Sequence, residues 1–203
     1  MSDKEFWEDF YSNKKGTLEP SSFATYVFEE IKLSGNLVEL GCGNGRDSIF
    51  FAEQGLEVFG MDQCQSTVSR LSELNKENTR FEVQDFTALG DLGKFDNVYS
   101  RFTLHSVSKE QASRTLNWAY GALNDGGKLC IEVRSVNDEL CGQGTEVGKD
   151  AYVTDHYRRF VRMDEMLEEL RGIGFQITYS IESKGLAVYK EEDPSIIRIV
   201  ATK

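Results

Sequence analysis

Asn36 to Arg46 reads NLVELGCGNGR, an apolar run that ends in an acid and opens into three glycines. Leu37, Val38 and Leu40 have the composition of a buried strand. Gly41, Gly43 and Gly45 permit a tight turn in which backbone without Cβ atoms comes close to a ligand. The next residues, DSIFFAEQ over 47–54, predict a helix. Strand, glycine turn and helix open a Rossmann-like βαβ unit, but a dinucleotide fingerprint is G-x-G-x-x-G and this turn is E-x-G-x-G-x-G. Glu39 would repel the two phosphates of a dinucleotide, whereas a carboxylate there suits a ligand carrying an ammonium and a sulfonium.

A second acid fits the same kind of ligand. EVFGMD, residues 57–62, predicts a second strand ending in Asp62, about twenty residues beyond the glycines, where a carboxylate accepts ribose hydroxyls. With Glu39 to Gly45 and Asp62 together, the sequence resembles the class I methyltransferases that use S-adenosylmethionine (SAM). Their first motif reads E/D-x-G-x-G-x-G and their second strand ends in an acid. NAD is the competing ligand. The resemblance implies SAM as cofactor and S-adenosylhomocysteine (SAH) as product, with cofactor contacts at Glu39, Gly41, Gly43, Gly45, Arg46, Asp62 and Gln63. It also implies an α/β fold: a Rossmann-like, mostly parallel seven-stranded sheet with an antiparallel last strand and helices on both faces.

Further along, RFEVQDF over 80–86 predicts a third strand ending in Asp85. The resemblance assigns Asp85 to the adenine amino group and Phe86 to backbone or stacking contacts. KFDNVYSRFTLHSV, residues 94–107, gives a fourth strand over Phe95–Tyr99 and an irregular segment carrying Arg101 and His105. Ser108 to Gln111 matches a capping box. Lys128 to Val133 predicts a fifth strand and leaves Arg134 at its carboxyl end. Ligands of open α/β sheets bind beyond the carboxyl ends of the strands, so Glu39, Asp62, Asp85, Arg101, His105 and Arg134 are expected on one rim.

The two ends and the middle complete the outline. Phe6, Trp7, Phe10 and Tyr11 fall at helical spacing, and Ser21 or Ser22 is placed to cap a helix running to about Lys32. Residues 1–32 read as an amino-terminal helical cap, packed on the sheet edge or over the acceptor pocket, with Tyr11 a candidate acceptor contact. Ser135 to Val161 has no convincing periodicity, and a connection of that length reads as an active-site lid loop over 135–161. It carries Tyr152, His156, Tyr157, Arg158 and Arg159. Met163 to Phe175 predicts an acidic amphipathic helix closed by Gly172 and Gly174. Strands near Gln176–Ile181 and Ile196–Ala201 pair antiparallel, since no crossover helix separates them.

Composition narrows the partners. The chain has 203 residues, 39% of them hydrophobic, enough for one domain over 1–203 with a full core. Its 34 acids against 23 lysines and arginines give a net charge of -11. That disfavours nucleic acid and favours a small-molecule or saccharide acceptor. The four cysteines form no CxxC pair and only two histidines are present, so no metal is expected. No apolar run suits a signal peptide or a membrane span, so a cytoplasmic monomer or homodimer is expected.

The acceptor's acidity decides what catalysis needs. An alcohol must lose its proton as it attacks, and the near-neutral bases are His105 and His156. A phosphate, phosphonate or carboxylate oxygen is already ionised. Arg101, Arg134, Arg158 and Arg159, with Tyr157, can hold such an anion through bidentate forks. The segments RFTLHSV, DHYRRF and GLAVYKEEDPSIIRI look similar to small methyltransferases that tailor saccharides, phosphorylated metabolites and phosphonates. O-methylation is therefore the expectation, with Arg101 a candidate both for catalysis, beside the two histidines, and for contact with the cofactor. A thiol or amine acceptor, or SAM binding without catalysis, stays open.

Overall fold

The computed structural model describes residues 5–9 and 19–203. In chain order its helices beyond Glu19 are α1 (Ser22–Glu29), α2 (Arg46–Glu53), α3 (Gln65–Glu73), α4 (Lys109–Ala122) and α5 (Met163–Ile173). Its strands are β1 (Asn36–Leu40), β2 (Glu57–Asp62), β3 (Thr79–Val83), β4 (Phe95–Arg101), β5 (Leu123–Arg134), β6 (Thr145–Gly148), β7 (Ala151–Val153), β8 (Tyr157–Arg159), β9 (Gln176–Ser183) and β10 (Ile196–Thr202). Seven of them make one sheet in the order β3-β2-β1-β4-β5-β10-β9. The first five run parallel, and β10 is inserted antiparallel between β5 and β9.

Alternation along each strand sends successive side chains to opposite faces. Val38, Leu40, Val98, Leu129, Ile131, Ile197 and Ile199 pack with Leu116 and Ala119 of α4 and Met166 and Leu170 of α5. Leu37, Tyr99, Cys130 and Val200 pack on the other face with Phe23 and Val27 of α1 and Phe51 of α2. Helices thus cover both faces, and burial of each large apolar side chain contributes about 1.5–3 kcal/mol. Local signals set the helix starts. Ser21 accepts from the Ala24 amide at 3.1 Å, and Ser108 with Gln111 closes the expected capping box at 3.2 and 2.9 Å.

Four expectations are corrected. The segment expected as an irregular lid, 135–161, contains the three-stranded antiparallel sheet β6-β7-β8. Its strands hold only three or four residues and β6 is exposed throughout, so no alternating pattern marks them. The third strand stops at Val83, short of Asp85, because the Asp85 carboxylate folds back onto the Thr87 amide (2.8 Å) and hydroxyl (2.7 Å). Gly172 lies inside α5, and Gly174 alone ends the helix, at φ +123°. A Cβ there would stand 2.8 Å from the Tyr120 hydroxyl. The first helix also ends at Glu29, before Lys32 turns to φ 58°.

Candidate functional site

The glycine turn joins β1 to α2 through backbone contacts. The Cys42 amide donates to the Met61 carbonyl (2.8 Å) and the Gly45 amide to the Cys42 carbonyl (2.9 Å). Gly41, Gly43 and Gly45 all take positive φ, at 74°, 52° and 80°. A Cβ on Gly41 would come within 2.4 Å of the Thr103 methyl and 3.8 Å of the Phe86 ring. Thr103 therefore packs directly on this glycine, with the Phe86 ring next to it. Asp62 braces the turn from β2: Oδ2 accepts from the Gly43 amide at 2.9 Å and Oδ1 from the Cys64 amide at 3.0 Å. The Cys64 thiol also bonds to this carboxylate, so Asp62 ties together the glycine turn and the start of α3. Gln63 follows half-buried, and Asp85 stands exposed beyond β3.

Glu39, buried one residue before the end of β1, is held by the Ser48 hydroxyl of α2. Burial, and then the charge of Asp47, push its pKa well above the ordinary carboxylate range, with Ser48, Arg101 and Arg46 pulling the other way. A buried acid held short of full compensation is a fitting seat for an ammonium. Arg46 lies 3.8 Å from Asp47. Asp47 is a site residue the sequence reading missed. It is buried, and it accepts from the Ser21 amide (2.7 Å), the Ser21 hydroxyl (2.7 Å) and the Tyr99 hydroxyl (2.9 Å), tying the start of α1 to the start of α2. In sequence it passes for an ordinary first-turn acid.

On the acceptor side, the arginines and histidines are drawn together but largely engaged. Arg134 forms a bidentate pair with Asp138 at 3.0 and 3.2 Å and reaches Glu192 at 3.4 Å. Arg159 donates to the carbonyls of Leu104 (3.1 Å) and Val107 (3.4 Å). These contacts correct the expectation that both forks are held open for an anion. Arg158 differs: it lies 2.9 Å from Nε2 of His156, and the carboxylate of the exposed Asp155 stands 4.0 Å away. Burial, and then the charge of Arg134, lower its pKa. Tyr157 sits half-buried beside it.

His105 does not have the setting of a strong base. His105 is buried, and its Nδ1 accepts from the Arg134 amide at 3.2 Å. Burial first, then Arg134, Arg158 and Arg159, hold its pKa well below the usual imidazole value. His156 is buried too. A guanidinium can only donate, so Nε2 of His156 accepts from Arg158, which leaves the proton on Nδ1, 2.9 Å from Asp155. The Phe6 ring stacks on this imidazole at 4.4 Å and Trp7 meets it edge-on at 4.9 Å. From the same short helix, over residues 5–9, Glu8 accepts from the Ser66 amide of α3 at 3.0 Å. The amino-terminal segment thus touches both sides of the rim. Tyr11 lies outside the described residues.

Among the described residues, no group of three or more His, Cys, Asp or Glu is arranged to hold a metal ion, and the four cysteines are free. No helix among them is long and apolar enough to cross a membrane. A surface hollow of about 340 Å³ between Phe86–Leu89 and Arg114, Thr115 and Trp118 includes neither Glu39 nor Asp62.

A parallel sheet with one inserted antiparallel strand, a glycine turn at the carboxyl end of β1, an acid one residue before the end of β1 and another ending β2 define the Rossmann-like methyltransferase fold. A methyltransferase-domain family model matches residues 13–180, and the chain belongs to that family. It is 23% identical over 171 residues to an uncharacterized methyltransferase of Bacillus cytotoxicus, covering 78% of this chain and 79% of that protein. It is 24% identical over 140 residues to the probable SAM-dependent methyltransferase TehB of Haemophilus influenzae, covering 66% of this chain but only about half (48%) of that protein. The crystal structure of that TehB superposes with a TM-score of 0.73 at 19% identity, over 97% of this chain and 67% of the other. The 1,6-didemethyltoxoflavin-N1-methyltransferase of Burkholderia thailandensis, solved with its substrate and SAH, gives a TM-score of 0.73 at 17% identity, over 98% and 83%.

Proposed function

We propose that this chain transfers a methyl group from SAM to an oxygen of a small anionic acceptor, a phosphate, phosphonate or carboxylate, or of a saccharide bearing one. SAM fits the residues present: Glu39 for the ammonium, Asp62 for the ribose, Asp85 and Phe86 for the adenine, and a glycine turn in which a side chain at Gly41 would collide with its surroundings. Bound there, SAM supplies an electrophilic methyl group. The chain's own residues then contribute alignment, which can be worth up to about 7–11 kcal/mol.

One observation carries the anionic reading. Among the described residues, Arg158 has its one ion pair at 4.0 Å, with an exposed residue, and no backbone carbonyl of the kind that holds Arg159; burial, and then Arg134, lower its pKa. An anion relieves that excess. The weak basicity of buried His105 points the same way, because an ionised oxygen needs no proton removed. A nitrogen acceptor is the second reading, favoured by the likeness to the toxoflavin N1-methyltransferase.

Labelled SAM offered with phosphates, phosphonates, carboxylates, sugars, amines and thiols tests both. Turnover of an anion, with Arg158→Ala lowering kcat/KM roughly ten- to a hundredfold at unchanged SAH affinity, is the expected result. Turnover of a neutral amine that is indifferent to Arg158→Ala overturns the anionic acceptor.

A further inference from the structure

A row of charged residues crosses four strands on the α1 face of the sheet. Glu39 of β1 is in register with Tyr99 of β4, two residues before Arg101. Arg101 is in register with Glu132 of β5, and Glu132 with Arg198 of β10. Side chains two apart share a face, so Glu39, Arg101, Glu132 and Arg198 stand side by side at the rim. Glu132 has no exposed surface, and it pairs with Arg101 Nε at 2.8 Å and Arg198 Nε at 2.7 Å. Two guanidiniums thus share one carboxylate.

The two arginines are not equivalent. Arg198 spends a terminal nitrogen on the Ser22 hydroxyl (2.9 Å) and the Leu186 carbonyl (2.8 Å) and is almost fully buried. Arg101 keeps 18% of its side chain exposed, its buried nitrogen is Nε, and none of the described residues accepts a hydrogen bond from Nη1 or Nη2. Its guanidinium lies over the Phe102 ring at 4.4 Å. Phe102 itself sits at φ 56°, a left-handed conformation that is strained for an aromatic residue, secured by its amide on the Glu132 carbonyl (2.8 Å). Glu132 therefore grips Arg101 from one side and the strained turn from the other, and the Arg101 charge is close enough to pull on the Glu39 carboxyl.

A carboxylate and an open guanidinium side by side complement an α-amino acid zwitterion. We propose that Arg101, aimed by Glu132, is the seat for the carboxylate at the amino-acid end of SAM and SAH, with Glu39 facing the adjacent ammonium. Arg101 is then a cofactor-binding residue and Glu132 a positioning residue, and Arg101 is not an acceptor clamp. The inference rests on the SAM reading above.

Calorimetry separates the two. Wild type, Arg101→Ala and Arg101→Lys are titrated with SAH, with its decarboxylated analogue and with 5′-methylthioadenosine, which lacks the amino-acid end. In the wild type, loss of the carboxylate weakens binding roughly ten- to a hundredfold. In Arg101→Ala, SAH falls by the same factor, the decarboxylated analogue and the thioether nucleoside bind as they do to wild type, and the cycle closes with that coupling. Arg101→Lys, which keeps a charge beside Glu132 but lacks the planar fork, falls between them. If Arg101→Ala does not fold, wild type and Arg101→Lys with the first two ligands still decide. SAH affinity unchanged by substitution, or all ligands weakened equally, overturns the assignment. Failure of wild type to bind any of the three instead removes the SAM reading itself.

Discussion

Replacing Asp47 with alanine removes the acceptor for three buried donors: the Ser21 amide (2.7 Å), the Ser21 hydroxyl (2.7 Å) and the Tyr99 hydroxyl (2.9 Å). The two hydroxyls already lie 3.2 Å apart and can pair with each other, so the group left without an acceptor is the Ser21 amide. A buried orphan amide costs about 1–3 kcal/mol, and each charge-assisted bond lost about 1.5–3. Against this, removing Asp47 relieves its repulsion of Glu39. The net loss is about 3 kcal/mol, or roughly 6–12 °C in Tm for a chain of this size. Asp47→Asn keeps an oxygen for the amide and offers an NH₂ to the hydroxyls while removing the like charge, so it should lose less than half as much. Urea unfolding and scanning calorimetry of both variants read this directly. The reasoning fails if Asp47→Ala stays within about 1 kcal/mol of wild type, or if asparagine is as damaging as alanine.

Two further outcomes follow from the site. Gly41→Ala puts a Cβ 2.4 Å from the Thr103 methyl at φ +74°; the left-handed backbone alone costs about 1–2 kcal/mol. Stability should fall by at least that, and the thermal shift given by SAH should vanish; an alanine variant that still gains full stabilisation from SAH would show that nothing approaches this backbone closely. His105 sets a pH dependence. Its folded pKa lies well below the unfolded value of 6.5, so as pH falls through about 6.5 the unfolded chain takes up a proton that the folded chain refuses. The stability this group contributes is present above about pH 6.5 and is lost as pH drops toward the folded pKa. Urea midpoints from pH 7 to 5 should decline less steeply in His105→Gln than in wild type; identical slopes would mean that His105 titrates normally in the fold.

What the sequence determined by itself was whatever short-range chemistry fixes. Three glycines at alternate positions demand positive φ, a Ser-x-x-Gln run caps its own helix, and acids ending two apolar runs fall on the rim of a parallel sheet. Those signals are written within a few residues, and they were enough to read the sheet, its antiparallel insertion and the family resemblance. The β6-β7-β8 sheet was illegible because three-residue strands carry no period. Which charges remain open for a ligand was decided by tertiary structure alone. Asp47 meets its partners 26 and 52 residues away, and Glu132 meets Arg198 66 residues away. An arginine looks the same in a sequence whether a neighbouring strand supplies it a carboxylate or not. The register of β4, β5 and β10 made that choice, consuming Arg198 and leaving the end of Arg101 without an acceptor among the described residues, while the packing of the 135–161 segment closed Arg134 onto Asp138 and Arg159 onto backbone carbonyls. Histidine basicity was decided in the same way, because an imidazole's pKa belongs to its surroundings: burial beside three arginines turned His105 from a candidate base into a neutral packed ring.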